Sequence, residues 1–242
     1  MTLPPVTLAL QPVGWTLISA RGEDALSFLQ GQLSADLASL PEGESADALL
    51  LSPSGEVVTS LVCRVVSGGV DLVVRDESAQ TAVTALGRFL MRTKCAIDIA
   101  GETTGPYATV GEQVRRGEPG PAEFARSVSA HTFGRDFVAR HVSFTKGCFT
   151  GQELVGRLDA RGGNVPFRLA RVNGTDVARM HDVVMSAGPS GERALQGLTT
   201  IVAEAGFSAL ALVHRTLLAD AGARDVGDVH VALLHEGVDA AS

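Results

Sequence analysis

The residues with the clearest chemical potential lie in one short segment that begins at Lys146 and reads KGCFTGQE. Thr150 and Glu153 have the spacing of a capping box, so a helix is predicted over 151–158. Cys148 would then stand just ahead of a helix N-terminus and two residues from an ammonium group, and both neighbours favour a thiolate. Exposed N–H groups at such a helix start also bind anions.

Each of these features also has an ordinary structural explanation, and the residues alone leave both open. Capping boxes are common, and most cysteines are small buried apolar residues. The chain has 18 arginines but only two lysines, Lys94 and Lys146. A lysine in so arginine-rich a chain is either one whose chemistry arginine cannot copy or one that remained by chance. Gly147 and Gly151 would let a ligand approach the backbone closely.

Composition and spacing argue against several other functional classes. The 242 residues are 45% hydrophobic and carry a net charge of −7, which fits one or two globular domains and disfavours a nucleic-acid surface. Cys63, Cys95 and Cys148 form no CxxC pair, and the six histidines are scattered. No P-loop, HExxH or GxSxG motif and no membrane-length apolar run occurs. We therefore expect a soluble, cytoplasmic protein with no metal and no nucleic-acid or membrane partner.

The first hundred residues predict an α+β unit with helices on one face of an antiparallel sheet. Strands are predicted at Trp15–Ala20, Ala48–Leu51, Val57–Val66, Val70–Val74 and Lys94–Ala100. Apolar spacing predicts helices at Glu23–Leu33 and after an N-cap at Asp76, and Ser34 is expected to cap a short helix through Leu40. Residues 101–122, with five glycines and three prolines, are interpreted as a linker.

The last third of the chain predicts mostly strands separated by glycine and proline turns. The predicted strands are Phe167–Val172, Asp182–Ser186, Leu198–Ala203, Phe207–Leu212 and Val229–Leu234. Short strands at such spacing predict a small barrel or sandwich, and the tail after Glu236 is expected to fray. At the other end of the chain, the alternation of Val6, Leu8 and Leu10 predicts one more strand.

The segment KGCFTGQE closely resembles the KGCYxGQE signature of the YgfZ family. These proteins are folate-binding relatives of the glycine-cleavage T-protein that assist iron–sulfur cluster maturation or repair. Further resemblances to the family cover Gly22–Asp24, Phe28–Asp36, the hairpin turn Ser52–Glu56, Arg116–Pro119 and Val142–Phe144. Phe149 stands where the family has tyrosine, and the stretch between Ala100 and the signature is short for the family.

The resemblance implies an α+β fold of antiparallel-sheet domains in a ring-like arrangement, followed by a small C-terminal β-barrel. The implied folate-binding region is 1–165, in which 1–45 combines with 100–165 while 46–99 forms a second unit. The barrel would occupy 166–242. Tetrahydrofolate or a derivative would lie in the central cavity.

The resemblance also implies a set of site residues. Cys148 is the candidate catalytic thiol, and the folate-binding candidates that the resemblance implies are Lys146, Gly147, Gln152, Glu153, Gln30 and Asp36. Arg157 is a further folate-binding candidate because of its charge and its position shortly after the signature. Carboxylate and amide groups can pair with a pterin edge, and an arginine fork can bind the glutamate tail of folate. Arg161, Arg168 and Arg171 are further candidates for that tail, and any of these arginines also fits an ordinary solvated surface. His141, near Cys148, and Trp15 are interpreted as structural.

Three functions remain open from the sequence. The leading one is a tetrahydrofolate-binding accessory protein that acts on iron–sulfur proteins or their assembly machinery, without an established turnover reaction. The second is a folate-dependent aminomethyl or one-carbon transferase, which needs a carboxylate near the folate nitrogen, with Asp36 and Glu153 as candidates. The third is a non-catalytic partner-binding module.

Overall fold

The computed structural model describes residues 5–177, 179, 182, 195–204, 206–215 and 223–234. A short 3₁₀ helix at Ala130–Phe133 accompanies the regular elements. In chain order these are β1 (Val6–Leu8), β2 (Trp15–Arg21), α1 (Ala25–Gln32), β3 (Ser45–Leu51), β4 (Val57–Val66), β5 (Gly69–Arg75), α2 (Asp76–Gly87), β6 (Ala96–Thr103), α3 (Val110–Arg116), α4 (Pro121–Phe124), α5 (Arg135–His141), α6 (Gln152–Asp159), β7 (Phe167–Gly174), β8 (Leu195–Glu204), β9 (Gly206–His214), β10 (Ala223–Val226) and β11 (Val229–Leu233).

The first of two sheets has the strand order β3-β4-β5-β2-β6, and all four pairings are antiparallel. Its strands are rich in β-branched and apolar residues, and in β4 the buried positions recur at every second residue. Helices α1 and α2 cover one face and bury Leu29, Ala82 and Leu86 against Ile18 and Leu72. This α+β unit confirms the sequence prediction for the first hundred residues.

Two local predictions in this half are wrong. Ser34 caps no helix, because its side chain is fully buried, donates to the carbonyl of His141 at 2.6 Å and accepts from the Leu49 amide at 2.8 Å. Those two tertiary bonds outweigh the local helix start that the sequence indicates. Asp76 is the first residue of α2 rather than its N-cap, and its carboxylate accepts from the Thr16 hydroxyl at 2.6 Å.

The predicted linker over 101–122 also contains structure that the sequence did not reveal. It holds the end of β6, helix α3 and the start of α4. The Thr109 hydroxyl caps α3 by accepting from the Glu112 amide, and Gly117 ends it in the left-handed conformation. These helices have seven and four residues, too few for an apolar stripe to repeat.

The second sheet has the order β1-β8-β9-β7-β11-β10. Its pairings are antiparallel except that β1, from the N-terminal end of the chain, lies parallel to β8. No described pairing joins the edge strands β1 and β10, so the described residues form an open sheet, and its closure into a barrel stays a prediction. Apart from Asp182, the strand predicted at Asp182–Ser186, the turn at 188–191 and the tail after Glu236 lie outside the described residues.

A core between the two sheets holds the segment that carries the signature. Phe133 and Phe137 pack there with Leu49 of the first sheet and Leu210 of the second. Phe149 and Val155 of the signature region join the same core, which is how the segment is fixed in place. The division at 165/166 stays a prediction. Within the described residues, no helix is long and apolar enough to cross a membrane.

Candidate functional site

The signature segment lies in the loop between α5 and α6, and α6 begins one residue later than predicted. Gly151 occupies the N-cap with φ = 79°, and a Cβ there would lie 2.6 Å from the Ser52 carbonyl. Only glycine fits this left-handed, closely packed position. The predicted capping box does not form, because the Thr150 hydroxyl donates to the Gln32 side chain at 3.0 Å instead.

Lys146 anchors this loop to the C-terminal end of α1. Its ammonium group donates to the backbone carbonyls of Gln30, Leu33 and Ala35 at 2.6, 2.6 and 2.7 Å. These acceptors lie at the end of α1, where carbonyls lack helical partners and the helix dipole favours a cation. The Phe149 ring lies 5.2 Å below the same ammonium. Burial lowers the pKa of Lys146 to about 8.

Gln30 and Asp36 shape the loop that supplies those carbonyls. The Gln30 side-chain oxygen accepts from the amides of Leu37 and Ala38 at 2.8 and 3.2 Å. Its amide nitrogen donates to the Asp36 carboxylate at 2.8 Å, and this hydrogen bond is the main reason that the pKa of Asp36 is lowered. The Phe28–Asp36 segment therefore lies directly against the signature, as two parts of one site.

Six of the eight candidate residues line a single open groove of about 480 Å³, which we call the signature groove. They are Lys146, Gly147, Cys148, Gln152, Glu153 and Arg157. The remaining lining residues are Ser143, Phe144, Phe149 and Gly156. Gln30 and Asp36 do not line the groove and instead support Lys146 from behind.

Cys148 is the most accessible of the three thiols. It is exposed, whereas Cys95 is partly covered and Cys63 is buried in the first sheet. Burial raises the pKa of Cys63 far above its ordinary value, so that thiol is inert at neutral pH. Next to Cys148, the groove presents an exposed ion pair in which Arg157 donates to Glu153 at 3.3 Å.

The other three arginines considered for a folate tail do not line the signature groove. Arg168 donates to the His131 carbonyl at 3.4 Å. Arg171 donates to the Val114 carbonyl at 3.2 Å and to the Arg115 carbonyl. Arg161 follows the C-terminal end of α6. Arg157 is therefore the arginine of this group that a ligand in the groove would meet.

A second, smaller recess of about 220 Å³ lies apart from the thiol. Trp15, Tyr107, Arg140 and His141 are among its walls, together with Asp47. The Trp15 indole donates to the Tyr107 carbonyl at 2.8 Å, and His141 is buried with Nδ1 2.8 Å from the Phe137 carbonyl. Both residues are structural, as predicted. The sequence did not reveal this recess, because its walls come from separate segments that share no motif.

Comparisons with known proteins agree with the resemblance. No protein-family model matches the chain. The tRNA-modifying protein YgfZ of Hamiltonella defensa subsp. Acyrthosiphon pisum (strain 5AT) is 26% identical over 102 residues, which are 42% of this chain and 30% of that protein. The match thus spans well under half the length of this curated relative.

A solved structure supports the fold over a much longer stretch. The glycine cleavage system aminomethyltransferase T from Bartonella henselae aligns with a TM-score of 0.59 over 93% of this chain and 86% of its own, at 12% sequence identity. At that identity the likeness shows the fold. Taken with the sequence match, it confirms that the chain is similar to the YgfZ family and has a T-protein-like arrangement of antiparallel sheets.

Proposed function

We propose that this chain binds a tetrahydrofolate-type ligand in the signature groove and assists the assembly or repair of iron–sulfur proteins, with Cys148 as its functional thiol. One observation carries the proposal: five signature residues and the nearby Arg157 line one groove around an exposed thiol. The groove volume of about 480 Å³ lies within the usual range for small-molecule sites, roughly 300–1,000 Å³. The YgfZ relative and the T-protein fold support a folate-related role.

The groove offers groups that suit the two ends of a folate. Gln152 and Glu153 supply an amide and a carboxylate for the donors and acceptors of a pterin edge. Arg157 supplies a guanidinium for a carboxylate of the glutamate tail. The recess beside Trp15 holds only about 220 Å³, less than a typical drug-sized site, so we assign the ligand to the groove.

We favour an accessory protein over a one-carbon transferase. A transferase needs a carboxylate that exchanges a proton near the operating pH and reaches the ligand. Asp36 does neither, because its pKa is lowered and it lies outside the groove. Glu153 lines the groove but is 90% exposed and paired with Arg157. The non-catalytic module remains the outcome if no folate binds.

Anaerobic calorimetric titration with tetrahydrofolate tests the ligand. We expect micromolar binding that Arg157→Ala weakens about tenfold, since a charge-assisted hydrogen bond contributes roughly 1.5–3 kcal/mol. Arg161→Ala is the matched control, because Arg161 is an exposed arginine outside the groove. A loss on Arg140→Ala instead would move the ligand to the recess beside Trp15. A folded protein that binds no folate would refute the proposal in favour of the partner-binding module.

The thiol role has its own test in cells that lack this protein. We expect Cys148→Ser to lose most of the protein's ability to restore an iron–sulfur enzyme, whereas Cys95→Ser keeps it, since Cys148 is the one exposed cysteine of the three. Full activity of Cys148→Ser would end the thiol proposal. Free thiols persist in a reducing compartment, so we also propose a cytoplasmic location.

The name of the YgfZ relative raises the question of direct tRNA binding. A chain with a net charge of −7 lacks the cationic excess that neutralises phosphates, so we propose that tRNA is not a ligand of this chain. A gel-shift titration with bulk tRNA at low salt measures this. Retarded bands that disappear as salt is raised would contradict it.

A further inference from the structure

The glycines around the signature groove fall into two groups, and the fold requires glycine in only one of them. Gly151 has a left-handed backbone, and a Cβ there would collide with the Ser52 carbonyl. Gly147 and Gly156 have no positive φ, and a Cβ at either would meet no described atom within 4 Å. Neither backbone conformation nor packing in the described protein requires glycine at those two positions.

Gly156 carries a stability cost that nothing in the fold offsets. It is the fifth of eight residues in α6, and it is exposed. Glycine in a helix interior is less favourable than alanine because it loses more backbone entropy on folding. Open space where Cβ would be means that alanine fits without strain. The fold alone would therefore favour alanine at this position.

Both glycines line the signature groove, and they do so from different elements. Gly156 bares the backbone of α6, while Gly147 bares the loop next to Cys148. Phe144, which is 48% exposed, lines the same groove. An aromatic ring together with bare backbone suits a flat ring system better than a bulky branched group.

We propose that Gly147 and Gly156 are specificity-determining residues that keep two faces of the signature groove bare, so that a planar heteroaromatic ring lies directly against the backbone. The inference rests on the proposed function and adds the shape of ligand that the groove selects. A side chain introduced at either position would occupy the space of the ring and leave the fold intact.

The test compares the stability and the folate affinity of Gly156→Ala. We expect its Tm to rise by about 1–3 °C, while tetrahydrofolate binds about fivefold or more weakly because the methyl group overpacks the ring. Gly87→Ala is the matched control: Gly87 is a helical, exposed glycine with open Cβ space, and it lies outside the groove. The control should keep full affinity. Wild-type affinity in Gly156→Ala overturns the inference and leaves the proposed function standing.

A second measurement decides the inference even if wild-type protein binds no folate, which is the result that refutes the proposed function. Cys148 is labelled in a Cys95→Ser background with two reagents, a bulky aromatic disulfide, dithiobis(nitrobenzoate), and small iodoacetamide. We expect Gly156→Leu to slow the aromatic reagent at least about threefold and to leave iodoacetamide unaffected, because overpacking penalises the larger group. Gly87→Leu should change neither rate. Equal aromatic labelling in Gly156→Leu and wild type overturns the inference.

Discussion

The ammonium group of Lys146 lies within 2.7 Å of three backbone carbonyls at the end of α1, more than 100 residues away in sequence. Three convergent acceptors suit a tetrahedral ammonium, which has three hydrogens to donate. With those bonds made, Lys146 holds the signature loop in place, and the proposed function assigns ligand recognition to Gln152, Glu153 and Arg157. Arginine is planar and cannot reproduce this arrangement, which gives a physical reason for a lysine in an arginine-rich chain.

Removing this ammonium should destabilise the protein. We expect Lys146→Ala to lower the free energy of unfolding by about 2–3 kcal/mol, because three partly buried carbonyls lose a charged donor. Lys146→Arg should recover less than half of that loss. Lys94→Ala is the control: Lys94 lies on the surface and pairs with an exposed glutamate, so its loss should cost under about 0.5 kcal/mol. Urea denaturation measures all three, and equal midpoints for the two alanine variants would contradict the expectation.

The sequence could identify Lys146 and Cys148 but could not assign their separate tasks. Residue type and spacing pointed to a thiol beside an ammonium, and the structure does place both on one groove. The partners of the ammonium are carbonyls, which every residue possesses, so no side-chain pattern marks them. Thr150 illustrates the same limit of sequence-based prediction. A local capping box and the distant Gln32 side chain compete for its hydroxyl, and the bond to Gln32 forms.

At the level of elements, the start of α6 is fixed by its fit onto the turn between β3 and β4. Gly151 meets Ser52 of that turn and Leu51 at the end of β3, while Gly55 of the turn lies against Leu154 of α6. The hairpin turn and the signature, two separate stretches of the family resemblance, are thus in direct contact. Their glycines allow a helix end and a strand turn to approach at backbone distance.

This contact predicts that alanine substitutions at two glycines of one loop have very different effects on stability. Gly151→Ala should destabilise the fold by about 2–4 kcal/mol, since alanine is strained at positive φ and its Cβ would collide with backbone. Gly147→Ala should stay within about 0.5 kcal/mol of wild type, because its φ is not positive and its Cβ space is open. Guanidinium denaturation followed by tryptophan fluorescence compares them. The explanation fails if both variants unfold at the same midpoint.

Long elements with a clear composition or periodicity were predictable from the sequence. Short helices and pairings between distant segments were not. Strand β4 matches its predicted bounds because ten residues rich in β-branched side chains lie between two turn signals. Helices α3 and α4 are too short for such a pattern and depend on caps at Thr109 and Gly120. The parallel pairing of β1 with β8 joins segments nearly 200 residues apart, which periodicity cannot reveal.

Across the whole molecule, the two sheets meet in a core that also buries two histidines. His131 and His141 are 3% and 5% exposed. Neither ring nitrogen of His131 has a hydrogen-bond partner in the described part of the chain. The nearest carboxylate is Asp159 at 3.8 Å, while Arg168 adds a nearby positive charge. Burial therefore lowers the pKa of both histidines below 6.5, and the folded protein keeps them neutral.

These lowered pKa values make the stability of the fold dependent on pH in a definite direction. The unfolded chain takes up protons at about pH 6.5, while the folded chain resists protonation until lower pH. Stability contributed by the neutral rings is therefore complete above pH 6.5 and falls as the solution becomes more acidic, by up to about 1.4 kcal/mol per pH unit for each histidine.

His131→Phe keeps an apolar ring in the core but cannot bind a proton, so its stability should fall less steeply than that of wild type between pH 7.5 and 5. His230→Phe removes an exposed histidine paired with Asp225 and should not flatten the profile in this way. Urea midpoints across this pH range measure the three slopes, and parallel profiles for wild type and His131→Phe would show that the buried ring does not resist protonation.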